Sequence, residues 1–361
     1  MKNAAKFFVV LLLVVCLNNV SKSQDGLNEY LSSHQYPFSL QAGFDARTTA
    51  MLEEKLGNYK LVLQAQGGSH YLHMYTYLAP LWLSVLNEHF GATVFFNEAG
   101  HSASIVYNRF LQTGDTSLLI FRSKELIKKL YQMNLSLPES RRLKFHGIDF
   151  ESPRSYVLAL QLITPAAQPP VEIASSIALI KNANPGLTQC DYITDINKTL
   201  KKELGRNTKS FMFFFGENFR DFERIVTNGA TCNDTRKNRN PNLAANFLSF
   251  DKEFQHRMYY AELGGAHTML SQQATAASII NESDQFKNKV CVVNLYCANC
   301  TTAEEGPSSN WSFGNIEKDI AKYFLPLCTS NFTLFDLTGD NPLIKKFQAY
   351  GQFLIIARNQ N

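Results

Sequence analysis

The first 24 residues contain no acidic side chain, and their charged side chains are those of Lys2, Lys6 and Lys22. A hydrophobic run long enough for a membrane anchor is also missing there, because the apolar stretch from Phe7 to Leu17 is well short of about 20 residues. A basic start, a short apolar run and a polar end are typical of a secretory signal peptide. We therefore expect residues 1–24 to be cleaved and the chain to be exported, either periplasmic or secreted.

Charge is scarce in the rest of the chain. Charged residues make up 18% of the sequence, and the formal net charge of +4 falls to +1 once the three lysines of the first 24 residues are removed. A nearly neutral net charge gives no indication of a polyanionic partner such as nucleic acid. We expect a small-molecule substrate or ligand, no nucleic-acid partner, and no membrane span in the mature chain.

The signatures of several common enzyme classes are absent. The sequence contains no G-x-S-x-G, no H-E-x-x-H, no P-loop and no G-x-G-x-x-G. These absences argue against the serine nucleophile of ordinary α/β-hydrolases, the zinc site of zincins, nucleoside triphosphate hydrolysis and a dinucleotide fingerprint.

Seven cysteines are present, and only Cys16 lies in the segment expected to be removed. An even number of remaining cysteines in an exported chain favours structural disulfides, whose pairing the sequence does not determine. Cys297 and Cys300 form a C-x-x-C pair, which with Cys291 and Cys328 is also compatible with a zinc site or with redox chemistry. The six predicted disulfide cysteines are Cys190, Cys232, Cys291, Cys297, Cys300 and Cys328.

Short apolar runs alternate with helical patterns along most of the chain, which predicts strands separated by helices. The alternation predicts an α/β fold with a mostly parallel central sheet, helices on both faces and an added helical layer over residues 171–225. Residues 25–361 show no clear linker or repeat, so we expect a single domain. The predicted strands are 60–66, 93–96, 143–150, 258–263, 290–296, 332–336 and 353–357, and the predicted helices include 75–90, 102–111, 118–131 and 155–163.

Polar residues follow the ends of several predicted strands. His70 comes after the first strand and a Gly-Gly pair, Glu98 ends the second strand, and Asp149 ends the third. His267 follows the fourth strand and another Gly-Gly pair, and Arg239 precedes a predicted helix. Because the carboxyl ends of parallel strands meet at one edge of a sheet, we expect these side chains to gather there. Together they can perform acid/base chemistry or hold a divalent metal.

Three further residues are candidates for contacting a substrate. His73 lies three residues beyond the first of these histidines. His101 directly precedes a helix predicted to begin with Ser102 as its N-cap. Asn246 lies seven residues after Arg239, which places both near one face of the same helix.

Structural explanations compete with some of these assignments. Glu98 can complement the dipole of the helix that follows it. Asp149 can close an Asx turn, and Arg239 can be a surface charge. An isolated histidine after a strand is more often structural than catalytic, so it is the repeated arrangement at His70 and His267 that favours a site.

Taken in order, these motifs resemble those of the erythromycin esterase-like superfamily, which looks related to the ChaN haem-uptake and TraB/Tiki proteins. The segment Arg239-Asn-Pro-Asn-Leu-Ala-Ala-Asn246 is similar to the family's Arg-x-x-x-Met-Ala-x-Asn helix, and the strand after it ends in Ala266-His267. Upstream, residues 67–70 resemble the family's first Gly-Glu-x-x-His motif. Glu98-Ala99 resembles its second-strand Glu-Ala, and residues 147–149 resemble its Gly-x-Asp.

The resemblance spans residues 60–296 and implies a hydrolase in which His70 is the general base, activating water for attack on an ester, lactone or amide. It implies that Glu98 orients this base, that Arg239 stabilises developing negative charge, and that His267 is an acid or oxyanion donor. This version needs no cofactor. In a Tiki-like version, His70, Glu98 and His267 would instead hold a divalent metal that lowers the pKa of bound water.

The sequence departs from the family pattern beside the predicted base. Gly67 replaces the acidic residue of the first motif, and residues 71–77 contain no acid. Loss of nearby carboxylates weakens the tuning of a histidine base. A catalytically impaired or non-enzymatic protein of the same fold, binding a small ligand such as haem, is therefore the alternative, and a surface protein with a vestigial pocket is a third.

Overall fold

An eight-stranded mixed sheet forms the centre of the structure, which is a computed structural model. The described residues are 26–66, 74–119, 124–229, 238–302, 306–307 and 316–359. The strands are β1 (Gln35–Phe38), β2 (Leu61–Gln66), β3 (Val94–Gly100), β4 (Lys144–Asp149), β5 (Tyr259–Gly264), β6 (Val290–Ala298), β7 (Thr301–Thr302), β8 (Gly306–Pro307), β9 (Phe332–Asp336) and β10 (Phe353–Arg358).

The strand order in the large sheet is β1-β9-β10-β6-β2-β5-β3-β4, while β7 and β8 pair with each other. β9 pairs antiparallel with β1 and with β10, and the other neighbours in the large sheet are parallel. The carboxyl ends of β2, β5, β3 and β4 therefore lie side by side at one edge. That edge is where a parallel sheet can bring side chains from several strands together.

Helices connect the strands and cover both faces of the sheet. They are α1 (26–33), α2 (Ala46–Leu56), α3 (Tyr75–Phe90), α4 (His101–Thr113), α5 (Lys124–Ser136), α6 (Pro153–Ile163), α7 (Ala174–Asn182), α8 (Cys190–Phe215), α9 (Phe219–Asn228), α10 (Arg239–Phe254), α11 (Ala276–Glu282), α12 (Glu317–Tyr323) and α13 (Pro342–Gln348). None of the helices in the described ranges has the length and hydropathy needed to cross a membrane.

Successive side chains of the strands pack into two apolar clusters, one on each face of the sheet. On β2, Val62 packs into the large apolar cluster that includes Trp82 of α3. Its neighbours Leu61 and Leu63 face the opposite side, where Phe247 of α10 belongs to a second cluster. Because successive side chains of a strand point to opposite faces, a strand that is buried on both faces reads as a continuous apolar run.

The added helical layer predicted for residues 171–225 is present as α7, α8 and α9. These helices pack with one another and with α6, and α6 and α9 pack on α4, which itself packs on β4. The layer therefore rests on α4 rather than directly on the sheet. This arrangement brings the end of α9 close to the carboxyl edge of β4, where Asn228 contacts Asp149.

The predicted α/β architecture is confirmed, and all seven predicted strands are present. The prediction missed β1, a short edge strand whose four residues include Pro37, so it carries little strand signal. The helix predicted over 118–131 is displaced: α5 runs from Lys124 to Ser136, and a separate 3-10 turn covers Thr116–Leu118.

A close approach of β4 to the turn between β3 and α4 depends on Gly147. A β-carbon at this position would collide with the backbone of Ala99 and Gly100. The N–H of Gly147 also donates a hydrogen bond to Ser104 Oγ at 2.8 Å. The glycine of the Gly-x-Asp segment is thus explained by packing, because it lets the ends of β3 and β4 come together.

Replacement of this glycine should disturb the sheet edge. We expect Gly147→Ala to lower the free energy of unfolding by about 3 kcal/mol or more, because the obstructing atoms are backbone and cannot rotate away. Gly205→Ala is the matched control, since nothing lies within 4 Å of a β-carbon there. It should be neutral or stabilising by up to about 1 kcal/mol, as helix propensity predicts. Equal urea midpoints for the two variants would contradict this account.

Candidate active site

Glu98 lies where β3 departs from regular pairing with β4. The register between the two strands shifts between Asn97 and Gly100, an irregularity that re-aims side chains at the end of a strand. Glu98 Oε2 accepts a hydrogen bond from the backbone N–H of Gly264 at 2.7 Å, at the end of β5. The irregularity therefore places a carboxylate between the ends of two neighbouring strands.

Arg239 links this carboxylate to a second one. Its Nη2 donates to Glu98 Oε1 and, at 2.5 Å, to Asp149 Oδ2. Its Nε donates to Asp149 Oδ1 at 3.2 Å and to Asp149 Oδ2 at 3.1 Å. Asp149 is the last residue of β4, and Arg239 is the first residue of α10. One guanidinium therefore joins β3, β4 and the start of α10.

Burial makes these charges interact strongly. The side chains of Glu98 and Asp149 are 12% and 10% exposed, whereas Arg239 is 32% exposed. Burial alone lowers the pKa of Arg239, but its hydrogen bonds and charge interactions with Asp149 and Glu98 outweigh that effect and raise the pKa. The guanidinium stays charged. With both carboxylates ionised, the cluster carries a net charge of −1, so one further positive group would neutralise it.

His267 approaches this cluster from the turn after β5. Its Nε2 lies 3.7 Å from Glu98 Oε1, and its Nδ1 lies 2.6 Å from Asn240 Oδ1. The backbone N–H of Ala276 donates to the same Asn240 oxygen at 3.2 Å, which identifies that oxygen as an acceptor. Nδ1 is therefore the donor, and in the neutral ring the nitrogen facing Glu98 carries no proton.

Asn246 faces β4 from the same side of α10 as Arg239, as the seven-residue spacing predicts. Its Nδ2 donates to the carbonyl of Ile148 at 2.9 Å and to Asn228 Oδ1 at 3.2 Å. Asn228, in turn, donates to the carbonyl of Asp149 at 2.7 Å. The donor group of Asn246 therefore fastens α10 to the end of β4.

His101 is the first residue of α4 rather than the residue before it, and Gly100 takes the N-cap position predicted for Ser102. The reason is Glu151, whose two oxygens accept from the backbone N–H groups of His101 and Ser102, both at 2.9 Å. Burial raises the pKa of Glu151, and these hydrogen bonds oppose the rise. The buried ring of His101 is directed at α9, with Nε2 2.8 Å from Asp221 Oδ1.

Three predicted residues, His70, His73 and Cys232, lie outside the described residues, and their roles remain predictions. Within the described part of the chain, no three His, Cys, Asp or Glu side chains are placed to hold a metal. Arg239 binds both Glu98 and Asp149, and its positive charge opposes a cation beside them. The donors that are described here therefore do not fit a metal ion.

The disulfide prediction is wrong for four cysteines, all of which are buried thiols. Cys291 and Cys297 lie six residues apart on β6, about 20 Å, whereas a disulfide needs Cα atoms within about 7 Å. Burial raises the pKa of the thiols of Cys291 and Cys328, which disfavours the thiolates that zinc requires. Cys190, in contrast, is disulfide-bonded. The four thiols are Cys291, Cys297, Cys300 and Cys328.

Sequence reasoning missed several polar residues of this region, including Asn228, Asn240 and Glu262. Asn240 directly follows Arg239 in the first turn of α10, but its sequence neighbours do not indicate its contact with His267. Glu262 is buried in β5, where it accepts hydrogen bonds from Tyr260 Oη at 3.2 Å and from Gln66 Nε2 at 3.3 Å. Burial raises its pKa to about 8, although these hydrogen bonds lower it. The signal that could have identified Glu262 in the sequence is a carboxylate within an otherwise apolar strand.

No family model matches the chain, and no curated protein matches it by sequence. Its structure is similar to that of a succinoglycan biosynthesis protein, with a TM-score of 0.64, 12% identity, and coverage of 93% of this chain and 97% of the other. It is also similar to an erythromycin esterase, a mutant of EreC in its open conformation, with a TM-score of 0.61, 9% identity, and coverage of 89% and 96%. This chain has the erythromycin esterase-like fold.

A protein from Bacillus cereus gives a TM-score of 0.60 at 13% identity, covering 93% of this chain and 98% of the other. Identities of 9–13% show the fold alone. The resemblance to the erythromycin esterase-like superfamily is thus confirmed at the level of the fold.

The orientation of His267 can be tested without a substrate. At a pH where the ring is neutral, we expect ¹⁵N chemical shifts of the wild-type protein to place its proton on Nδ1, because Asn240 accepts there. In Asn240→Ala the acceptor is lost, and the proton should move towards Nε2. Asn242→Ala is the matched control, since Asn242 contacts Asn228 at 3.4 Å. An Nδ1-protonated ring in both variants would contradict the role of Asn240.

The buried carboxyl of Glu262 should make stability depend on pH. The pKa of Glu262 is about 8 in the folded chain, whereas an ordinary glutamate, as in the unfolded chain, has a pKa of 4.5. Folding therefore favours the protonated form. This contribution is fully present below pH 4.5 and is lost as the pH rises through 8, with a slope of at most about 1.4 kcal/mol per pH unit. We expect Glu262→Gln to remove that slope in urea unfolding from pH 5 to about 8. Exposed Glu282→Gln should retain it, and parallel profiles for all three proteins would refute the assignment.

Proposed function

We propose that this chain is an exported hydrolase that cleaves an ester, lactone or amide by attack of water on the carbonyl carbon. The observation that carries the proposal is the placement of Arg239 between Glu98 and Asp149, with His267 beside Glu98. This group lies at the carboxyl edge of parallel strands, where α/β folds commonly build their sites.

In this proposal Arg239 stabilises the negative charge that develops on the carbonyl oxygen. Its two carboxylate partners hold the guanidinium in place before the reaction, so the group needs little reorientation as the transition state forms. The guanidinium is also the most exposed member of the ion-pair cluster, at 32% against 12% for Glu98 and 10% for Asp149. A substrate oxygen can therefore approach it from the solvent side.

The proposed role of His267 is that of a proton donor. Protonation of Nε2 supplies the positive charge that brings the cluster of Glu98, Asp149 and Arg239 to neutrality. Asn240 holds the opposite edge of the ring, so Nε2 keeps its direction when it gains or loses a proton. The cation can donate to the leaving group or to the carbonyl oxygen. The proposed general base, His70, is supported by the family resemblance.

Similarity to an erythromycin esterase supports a hydrolase, since a protein of the same fold carries that name. The basic, apolar and polar order of residues 1–24 supports their removal as a signal peptide and export of the chain. We treat residues 25–361 as one domain, which is supported by a single large sheet whose strands come from both ends of the chain.

The test is hydrolysis of a panel of esters, lactones and peptides by the purified protein. We expect turnover that persists in a chelator, because Arg239 binds Glu98, the carboxylate that the metal-dependent version would need. His267→Ala should lower kcat/KM by about 10² to 10⁴, the usual contribution of a positioned acid or base. Arg239→Lys should lower it by about 10², since lysine cannot bridge two carboxylates bidentately.

His89→Ala is the control for this experiment. His89 lies one residue before the end of α3, at the opposite edge of the sheet from the cluster, and should leave kcat/KM unchanged. Turnover that survives in His267→Ala would refute the assignment of the site. Turnover that vanishes with chelator and returns with Mn²⁺ would replace it with a metal-dependent mechanism, and no turnover of any substrate would count against a hydrolase.

A further inference from the structure

The end of α8 presents apolar side chains to solvent. Phe213 is 84% exposed and Met212 is 51% exposed. Their neighbours are turned inward: Phe211 and Phe215 are buried and stack on Phe222 of α9. The aromatic run at the end of the helix is therefore divided, with one part holding α8 to α9 and the other part facing outward.

The basic residues of α8 precede these apolar residues, between Lys198 and Lys209. The whole of α8 contains five lysine or arginine residues and three acids, Asp191, Asp195 and Glu203, giving a net charge of +2. Arg206 pairs with Glu203 at 3.1 Å, and Lys198 pairs with Asp195 at 3.9 Å. All five basic residues are exposed, and they are Lys198, Lys201, Lys202, Arg206 and Lys209.

The basic and apolar residues lie on the solvent side of the helix. Backbone angles depart from helical values at Asn207, so the helix kinks there, with Lys202 and Arg206 before the kink and Lys209 and Phe213 after it. Lys202 and Arg206 lie four residues apart in the first part of the helix, and Lys209 and Phe213 lie four residues apart in the second part, so each pair aligns along one side of its part. The result is a row of cations that ends in an exposed aromatic side chain.

We propose that residues 198–215 of α8 dock on an anionic membrane surface. Phe213 and Met212 enter the boundary between headgroups and acyl chains, while the lysine and arginine side chains reach the lipid phosphates and carboxylates. An apolar edge flanked by long cationic side chains matches the two contributions of interfacial binding, apolar burial and attraction to anionic lipid. A second copy of this chain is disfavoured as the occupant, because it would bring an equal positive charge against the first.

The docking segment is separated from the candidate active site by the length of α9. That helix begins at Phe219, shortly after α8 ends, and it ends at Asn228, which contacts Asp149. Its ten residues span about 15 Å. Substitutions at the exposed end of α8 therefore test membrane docking without touching the groups that bind Arg239.

The experiment is sedimentation of the chain lacking residues 1–24 with vesicles, because the apolar run of that segment would itself bind lipid. We expect binding to phosphatidylcholine vesicles with about 30% phosphatidylserine, and none to phosphatidylcholine alone. Phe213→Ser should lower the partition coefficient between vesicles and water about tenfold. The double variant Lys202→Glu with Lys209→Glu should lower it at least about tenfold. Salt at about 1 M should also release the protein, since it screens charges beyond about 3 Å.

Leu135→Ser is the matched control, because Leu135 is another apolar side chain exposed to 62%, on α5. It should bind the vesicles as the wild-type chain does. Failure of the wild-type chain to bind anionic vesicles would overturn the proposal, and so would equal binding by Phe213→Ser. Self-association in sedimentation equilibrium that Phe213→Ser abolishes would instead assign this surface to a second copy.

Discussion

The candidate site depends on the cation between Glu98 and Asp149. Two carboxylates at the ends of neighbouring strands repel each other, and burial without a counter-charge would cost several kcal/mol. Arg239 removes that repulsion and binds both groups. Because it is the first residue of α10, the same ion pairs also fix where this helix begins. Asn240 comes next in the chain, so the turn that neutralises the carboxylates also orients His267.

Much of this arrangement could be predicted because strand ends are marked in the sequence. Glu98 and Asp149 each end an apolar run, and parallel strands bring such ends to one edge. The seven-residue spacing from Arg239 to Asn246 correctly predicted a shared direction towards β4. These features depend on periodicity and chain direction, which a sequence expresses directly.

Other features depend on tertiary geometry that no local pattern encodes. Asn240 matters because the turn after β5 brings His267 to it, and neither residue reveals that contact by its neighbours in the sequence. Ser102 is a good N-cap by residue type, yet Glu151, remote in the chain, binds the first N–H groups of α4. The disulfide prediction was wrong for four cysteines for a similar reason, since two of them, Cys291 and Cys297, lie on one strand face and too far apart to bond.

Asn228 connects three parts of the molecule that would otherwise be separate layers. Its amide donates to the carbonyl of Asp149 and to Glu151, which holds the start of α4, while its oxygen accepts from Asn246 of α10. The outer helices are therefore mechanically coupled to the strand that carries Asp149. A shift of α9 along its axis would displace the backbone of Asp149, the residue that anchors Arg239. The outer helical layer therefore helps to hold the site in its geometry.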